Sequence, residues 1–301
     1  MRNEKKDFKA GFVALIGRPN VGKSTLLNQL VGEKITITSP LPQTTRNIIR
    51  GIITFEEAQV IFLDTPGIVE LSQVKTVIDK ELIKETLKNL EGVDIIAFIV
   101  NSSPPTANDR FILKDLKKIK KPSFLLINKI DKIKEAELNS IKEDYESFFS
   151  FTKIIPISAK KGTNLSILMG EIINHLPFHS PYYSSDFITD QPERLLVAEL
   201  IREKIFNFTK QEIPYSVMVK VDEFEERRKG LIYLHATIFT EHSSQKGILV
   251  GKSGKMIKKI GEAARSEIEK RLGCQVYLDL WISVKRNWRH HKDSLKEIEY
   301  K

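Results

Sequence analysis

The stretch GRPNVGKST, Gly17 to Thr25, follows the apolar run FVALIG and opens a segment of helical character. Its spacing satisfies G-x-x-x-x-G-K-[ST], a loop whose backbone N–H groups wrap a phosphate at the positive end of the next helix. Gly17, Arg18, Pro19, Asn20, Val21 and Gly22 form the cradle. Lys23 is placed to reach the outer phosphates, the Ser24 hydroxyl to ligate Mg²⁺, and Thr25 closes the segment. A chance glycine turn is the alternative, and the strand and helix on either side argue against it.

Later loops narrow the base. NKID, Asn128, Lys129, Ile130 and Asp131, directly follows the apolar run SFLLI. Guanine presents two adjacent donors on one edge, and the Asp131 carboxylate can accept both; adenine has no such pair. SAK, Ser158, Ala159 and Lys160, follows the next apolar run and can offer a backbone N–H to the guanine O6. DTPG, Asp64, Thr65, Pro66 and Gly67, ends another apolar run. There Asp64 would hold the metal through water, and the Gly67 N–H would sense a third phosphate. Upstream, PQTTR (42–46) lies in a polar loop, with Thr45 rather than Thr44 expected to close on Mg²⁺. Two loops that order around a third phosphate and relax on hydrolysis form a switch. The chain therefore reads as a regulatory GTPase. Ile68 stands after DTPG, where a water-orienting glutamine acts in many such enzymes. Isoleucine cannot position a proton, so Lys23, Thr45, Gly67 and Asn20 are the groups left to assist hydrolysis. For Asn20 a plain turn residue is the competing reading.

The elements that must carry these loops alternate. Apolar runs at 12–17, 59–64, 93–100, 123–128 and 153–158 are separated mostly by helical stretches at about 23–30, 77–90, 109–119, 135–149 and 165–175. Such a pattern predicts an α/β fold whose mainly parallel sheet is covered on both faces. GIITF, a short turn and QVIFL predict one antiparallel hairpin within it. The run KKIKK (117–121) is expected to end a helix, where cations suit the dipole.

A polar segment, 179–191, is expected to link this first domain (1–178) to a second (192–301). In the latter, apolar residues recur at helical spacing from Leu195 to Phe208 and alternate from Tyr215 to Val221. LIYLHATIF closes a hairpin, and Val276, Leu278, Leu280, Ile282 and Val284 alternate in a last strand. The order is α-β-β-α-α-β. Between the strands, GKSG at Gly251–Gly254 repeats the Gly-Lys-Ser triplet, but position 246 is lysine where a phosphate loop needs glycine. It is instead the G-x-x-G turn of a type II KH domain, which grips about four nucleotides of single-stranded RNA. Gly251 and Gly254 let a nucleic-acid backbone approach, beside Lys252, Ser253, Lys255, Lys258 and Lys259. Trp281 is expected to pack beneath a helix rather than stack on a base, Cys274 to be a small strand residue, and His290 and His291 to belong to a basic RNA-facing tail rather than to bind a metal.

Composition bounds the class. A chain of 301 residues exceeds one usual core. One cysteine excludes an internal disulfide and fits a reducing cytoplasm. The opening MRNEKKDFKA lacks the apolar stretch of a signal peptide, and no apolar run is long enough to cross a bilayer. From position 192 onward there are 22 Lys/Arg against 16 Asp/Glu, and before it 26 against 23. The second domain thus carries most of the excess of +9, which suits a polyanionic partner. No metal cluster or further cofactor loop supports an RNA-modifying enzyme. An RNA-binding scaffold with a non-catalytic nucleotide site is the other class that the missing glutamine leaves open.

One GTPase domain bearing GRPNVGKST, QTTR, DTPG, NKID and SAK, followed by GKSGKMIKKIGEAAR, resembles the bacterial Era family over nearly the whole chain. The resemblance implies a GTPase assisting maturation of the small ribosomal subunit, with GTP, GDP and Mg²⁺ as ligands. It implies that the KH domain binds the single-stranded 3′ end of the small-subunit rRNA. Related GTPases with asparagine at the place of Asn20 bind a potassium ion in lieu of an arginine finger. A monomeric cytoplasmic protein is expected, and some family members attach peripherally to the inner membrane. Lys-Ser as the middle pair of the turn is a mild departure from the family's usual Gly or Lys.

Overall fold

The structure, a computed structural model, describes residues 8–38, 48–70, 72, 74, 76–209 and 213–290. The chain divides into two compact units at Asp190/Gln191, with Thr76–Ile78 grouped with the second.

In the first unit the elements run β1 (Lys9–Ile16), α1 (Lys23–Val31), β2 (Ile49–Thr54), β3 (Ala58–Asp64), α2 (Val77–Asn89) and β4 (Ile95–Asn101). There follow α3 (Ala107–Leu116), β5 (Ser123–Asn128), α4 (Glu135–Glu146), β6 (Lys153–Ile157) and α5 (Leu165–His175). The sheet order is β2-β3-β1-β4-β5-β6, parallel except for the antiparallel β2–β3 hairpin. Side chains of a strand point alternately to its two faces, and both faces here are covered. Val13 and Leu15 of β1 pack with Leu26 and Leu27 of α1 and Leu168 and Ile172 of α5. Ala14 and Ile16 pack with Ile83 of α2, Leu113 of α3 and Ile141 of α4.

α3 starts two residues before its expected position because Thr106 caps it. The Asp109 N–H donates to the Thr106 hydroxyl, and the Thr106 N–H donates back to the Asp109 carboxylate. The helix ends at Leu116, so all of KKIKK lies beyond it, Lys117 as the C-cap, rather than in its last turn. The segment expected as a linker is bound to the sheet. The Gln59 amide donates to the Tyr183 carbonyl and accepts from the Tyr182 and Tyr183 N–H groups, and Arg50 pairs with Asp190 at 2.6 Å. The Ile52 N–H of edge strand β2 donates to the Ile188 carbonyl, which blunts that edge.

The second unit contains α6 (Glu193–Phe208), α7 (Ile213–Ser216), β7 (Met218–Arg228), β8 (Leu231–Thr240), α8 (Ser243–Val250), α9 (Lys255–Leu272) and β9 (Gln275–Val284). β7 and β8 are antiparallel, β8 and β9 parallel. Val197, Ile201 and Ile205 of α6 and Ile260, Ala264 and Ile268 of α9 cover one face of this sheet. Tyr215, expected in a strand, lies in the turn of α7. Trp288 fixes that turn by donating its indole N–H to the Ser216 carbonyl at 3.1 Å. Among the described residues no helix is long and apolar enough to cross a membrane.

Candidate functional site

The loops bearing GRPNVGKST, DTPG, NKID and SAK leave the carboxyl ends of parallel strands β1, β3, β5 and β6. The chain steps from β3 on one side of β1 to β4 on the other, which makes β1 the switch point where open α/β sheets bind ligands.

Gly22 takes φ 105° at the N-terminus of α1, and a Cβ there would meet the Asn128 amide nitrogen at 2.3 Å. Only glycine suits both demands. Lys23 is buried, and its ammonium donates to the carbonyls of Gly17 and Arg18, each at 3.0 Å. Burial lowers its pKa to about 8, and Asp64 opposes the shift. The Ser24 hydroxyl donates to the Asp64 carboxylate at 2.7 Å. A hydroxyl beside a carboxylate is a hard-oxygen donor pair of the kind Mg²⁺ takes, alongside water and phosphate. The Thr65 hydroxyl donates to the Leu15 carbonyl at 2.8 Å, and Gly67 lies directly against Pro19. Ile68 is fully buried in the core, and its N–H donates to the Gly17 carbonyl. The residue after Gly67 thus ties the two phosphate-side loops together. Thr44 and Thr45 fall outside the described residues.

Asn128 joins the base-side loops to the cradle. Its amide donates to the Val21 carbonyl at 2.7 Å, and its oxygen accepts from the Lys129 N–H at 2.8 Å and the Ala159 N–H at 2.9 Å. Of the SAK N–H groups that could face the guanine O6, the one of Ala159 is therefore engaged with Asn128. Lys129 adopts φ 68° and reaches back to donate to the Asn20 carbonyl at 2.7 Å. Burial, with help from Lys132 and Arg18, lowers its pKa, and Asp131 opposes this. The Ser158 hydroxyl donates to the Asp131 carboxylate at 2.6 Å and holds that carboxyl below its usual range. Asp131 is exposed and ionised at neutral pH, as an acceptor for two base donors must be. Lys160 is exposed at the rim, and Ile130 and Thr25 are partly buried beside their loops.

Arg18 has a partner that no motif signals. Its guanidinium pairs with the wholly buried Asp109 at 2.9 Å, so it braces the cradle against α3. Neither the Thr106–Asp109 cap nor its link to Arg18 entered the expected start of α3.

In the second unit Gly251 has φ 70°, and a Cβ there would meet the Met256 Cβ at 2.7 Å. Ser253 and Gly254 also take left-handed angles, which projects the turn outward. Lys252, Ser253 and Lys255 are exposed. Lys258 stands 3.9 Å from Glu262, and the Lys259 ammonium lies 4.3 Å over the Phe208 ring. The buried Lys23 and the exposed Lys252 put two identical triplets into opposite surroundings.

A family model described as 50S ribosome-binding GTPase matches residues 12–129, and a KH domain model matches residues 212–289. The protein called GTPase Era of Halothermothrix orenii is 46% identical over 98% of this chain and 99% of its own length. The chain belongs to the Era family of GTPases. The GTPase Era of Lactobacillus helveticus is likewise 46% identical, over 99% of this chain and 98% of its own. A crystal structure of Era in complex with MgGDPNP and nucleotides 1506-1542 of 16S ribosomal RNA superposes with a TM-score of 0.93 at 38% identity, covering 97% of this chain and 99% of the other. A point variant of Aquifex aeolicus Era bound to GDP.AlF4- matches equally well, with a TM-score of 0.93 at 38% identity over the same shares of the two chains. The chain is accordingly a P-loop GTPase with a KH domain, as its motifs led one to expect.

Proposed function

We propose that this Era-family GTPase binds GTP and GDP at the cradle Gly17–Thr25 and the loops at Asp64–Ile68, Asn128–Asp131 and Ser158–Lys160. It would couple hydrolysis to capture of the single-stranded 3′ end of small-subunit rRNA at Gly251–Gly254, and so assist maturation of that subunit. The observation that carries the reading is the contrast between Lys23, 6% exposed among loop carbonyls, and Lys252, exposed on a turn of left-handed residues. The first is prepared for phosphates drawn into a pocket, the second for a polyanion laid on a surface. The relative solved with MgGDPNP and 16S rRNA matches both units, which favours the small-subunit RNA over the large subunit named by the narrower family model.

Ser24, Asp64 and Thr45 would hold Mg²⁺, which neutralises phosphate charge when bound. Lys23 would orient the outer phosphates, the Gly67 N–H would sense the third, and Asp131 would select guanine. With Ile68 sealed in the core, Asn20 is the residue we assign to a potassium ion that replaces an arginine finger. Lys252, Ser253, Lys255, Lys258 and Lys259 would line the RNA path. We place the protein in the cytoplasm as a monomer that meets the small subunit, with the peripheral attachment to the inner membrane face that the family resemblance implies. The test is GTP turnover with and without an oligoribonucleotide matching the 16S 3′ end. Stimulation by that RNA supports the coupling; identical rates with saturating RNA contradict it.

A further inference from the structure

The outward face of the KH sheet departs from expectation. Trp281 is not beneath a helix: it is 61% exposed on β9, and Tyr277 on the same face is 63% exposed. Tyr233 on β8 stacks on Tyr277 with ring centroids 5.8 Å apart, and the Arg227 guanidinium lies 3.6 Å over Tyr233. At the other end, the Lys246 ammonium stands 5.5 Å over Trp281. We propose that this face is a base-stacking platform for single-stranded RNA, which extends the strand gripped at Gly251–Gly254 across Trp281 and Tyr277. The proposal rests on the KH turn being the RNA grip.

Four features favour RNA as the occupant. Aromatic rings displayed on an open sheet are how other RNA-binding folds stack successive bases, with tolerance for sequence because every base has a π face. Tyr277 and Trp281 are four residues apart on one strand, about 13 Å, so they offer separate seats rather than one. Lys246 stands at the Trp281 ring, and Arg227 covers Tyr233, the ring on which Tyr277 stacks, so a cation lies at either end of the platform to meet the phosphates that accompany the bases. The platform also continues the grip: Lys246 belongs to α8, the helix that ends directly at Gly251. Two of the carboxylates near the rings are already engaged. Asp279 is paired with His235 at 3.0 Å, and Asp222 accepts from the Thr237 hydroxyl at 2.7 Å beside Lys220. Glu223 and Glu225 lie on β7, where Glu225 faces Tyr233 across the strands, but β8 separates both from the Tyr277 and Trp281 seats on β9.

The test uses the full chain with oligouridylates of four and of ten nucleotides. The grip alone accounts for about four nucleotides. Tyr277→Ala with Trp281→Ala should weaken the ten-mer by about tenfold per ring or more, while the four-mer changes less than about twofold. Trp281→Phe should restore most of its share. Because Trp288 is buried at 2% exposure, quenchable tryptophan emission reports Trp281, and it should fall with the ten-mer but not the four-mer. Unchanged ten-mer affinity in the double variant overturns the platform. Equal losses on both lengths also overturn it, since the rings would then act through the fold of the grip. If Lys252→Asp with Ser253→Asp leaves both lengths bound, it is the KH reading itself that fails. Capture of a protein instead of the ten-mer, lost in the same double variant, would refute RNA as the occupant.

Discussion

Asn128 is the side chain whose loss should damage the nucleotide site most for its size. It is buried and makes three hydrogen bonds of 2.7, 2.8 and 2.9 Å to the cradle, its own loop and the Ser158 loop. Asn128→Ala leaves the Val21 carbonyl and the Lys129 and Ala159 N–H groups without that partner. An orphaned buried polar group costs about 1–3 kcal/mol, and water entering the gap recovers part, so the three together should cost about 3–6 kcal/mol. That is a large share of the roughly 5–15 kcal/mol that holds a domain folded. The loops released are the ones a guanine nucleotide must find in place. Re-ordering them at a cost of about 3 kcal/mol would weaken binding by roughly 150-fold. Asn128→Asp keeps the acceptor for both N–H groups but turns an oxygen toward the Val21 carbonyl, so it should fall between. The assay is titration with a fluorescent GDP analogue, paired with thermal unfolding of the nucleotide-free protein. GDP affinity within threefold of the unaltered chain for Asn128→Ala would refute the reasoning, as would a reversed order of the two variants.

Asp131→Asn should weaken GTP by about 10²–10⁴-fold, through loss of two charge-assisted bonds, and should gain binding of XTP, whose carbonyl suits the new amide. Competition titrations with both nucleotides check this. With its pKa lowered to about 8, Lys23 should take up a proton when phosphates bind and raise that value. Nucleotide affinity should therefore be full below about pH 8 and fall as pH rises beyond it, with proton uptake measurable by calorimetry in buffers of different ionisation heat. The nucleotide-free fold should behave oppositely. The cost of a charged buried Lys23 is present below the folded pKa and is relieved as pH rises toward the ordinary value of 10.5, a gain of up to about 3 kcal/mol. If Asn20 holds a monovalent cation, turnover with RNA bound should be faster in potassium than in sodium, and Asn20→Ala should erase the difference.

The nucleotide loops were legible because their chemistry is local: the cradle needs fixed spacing between Gly17, Gly22 and Lys23, and the strands around it announce themselves by continuous apolar runs. The hidden parts join residues far apart in the chain. Arg18 reaches Asp109, Lys129 reaches Asn20, and Gln59 holds Tyr182 and Tyr183, none of which a spacing can signal. Trp281 is a different kind of miss. The alternation of Val276, Leu278, Leu280 and Ile282 already assigns the inner face of β9, and position 281 falls on the other one. The general tendency of aromatics to be buried is the weaker guide there, because strand register decides the face. Within SAK the Ala159 N–H is held by Asn128, a neighbour visible only once both loops are folded.

On this account one Gly-Lys-Ser triplet holds nucleotide and the other holds RNA. Lys252→Asp with Ser253→Asp keeps Gly251 and Gly254, and hence the turn, while setting two negative charges where phosphates would lie. The decisive measurement is RNA affinity and GTP affinity on this one variant at a fixed salt concentration, since phosphate contacts are salt-dependent. RNA binding should collapse while GTP affinity stays within about twofold of the unaltered chain, because Lys23 belongs to the other unit. Retained RNA binding, or lost GTP binding, would contradict the division of labour.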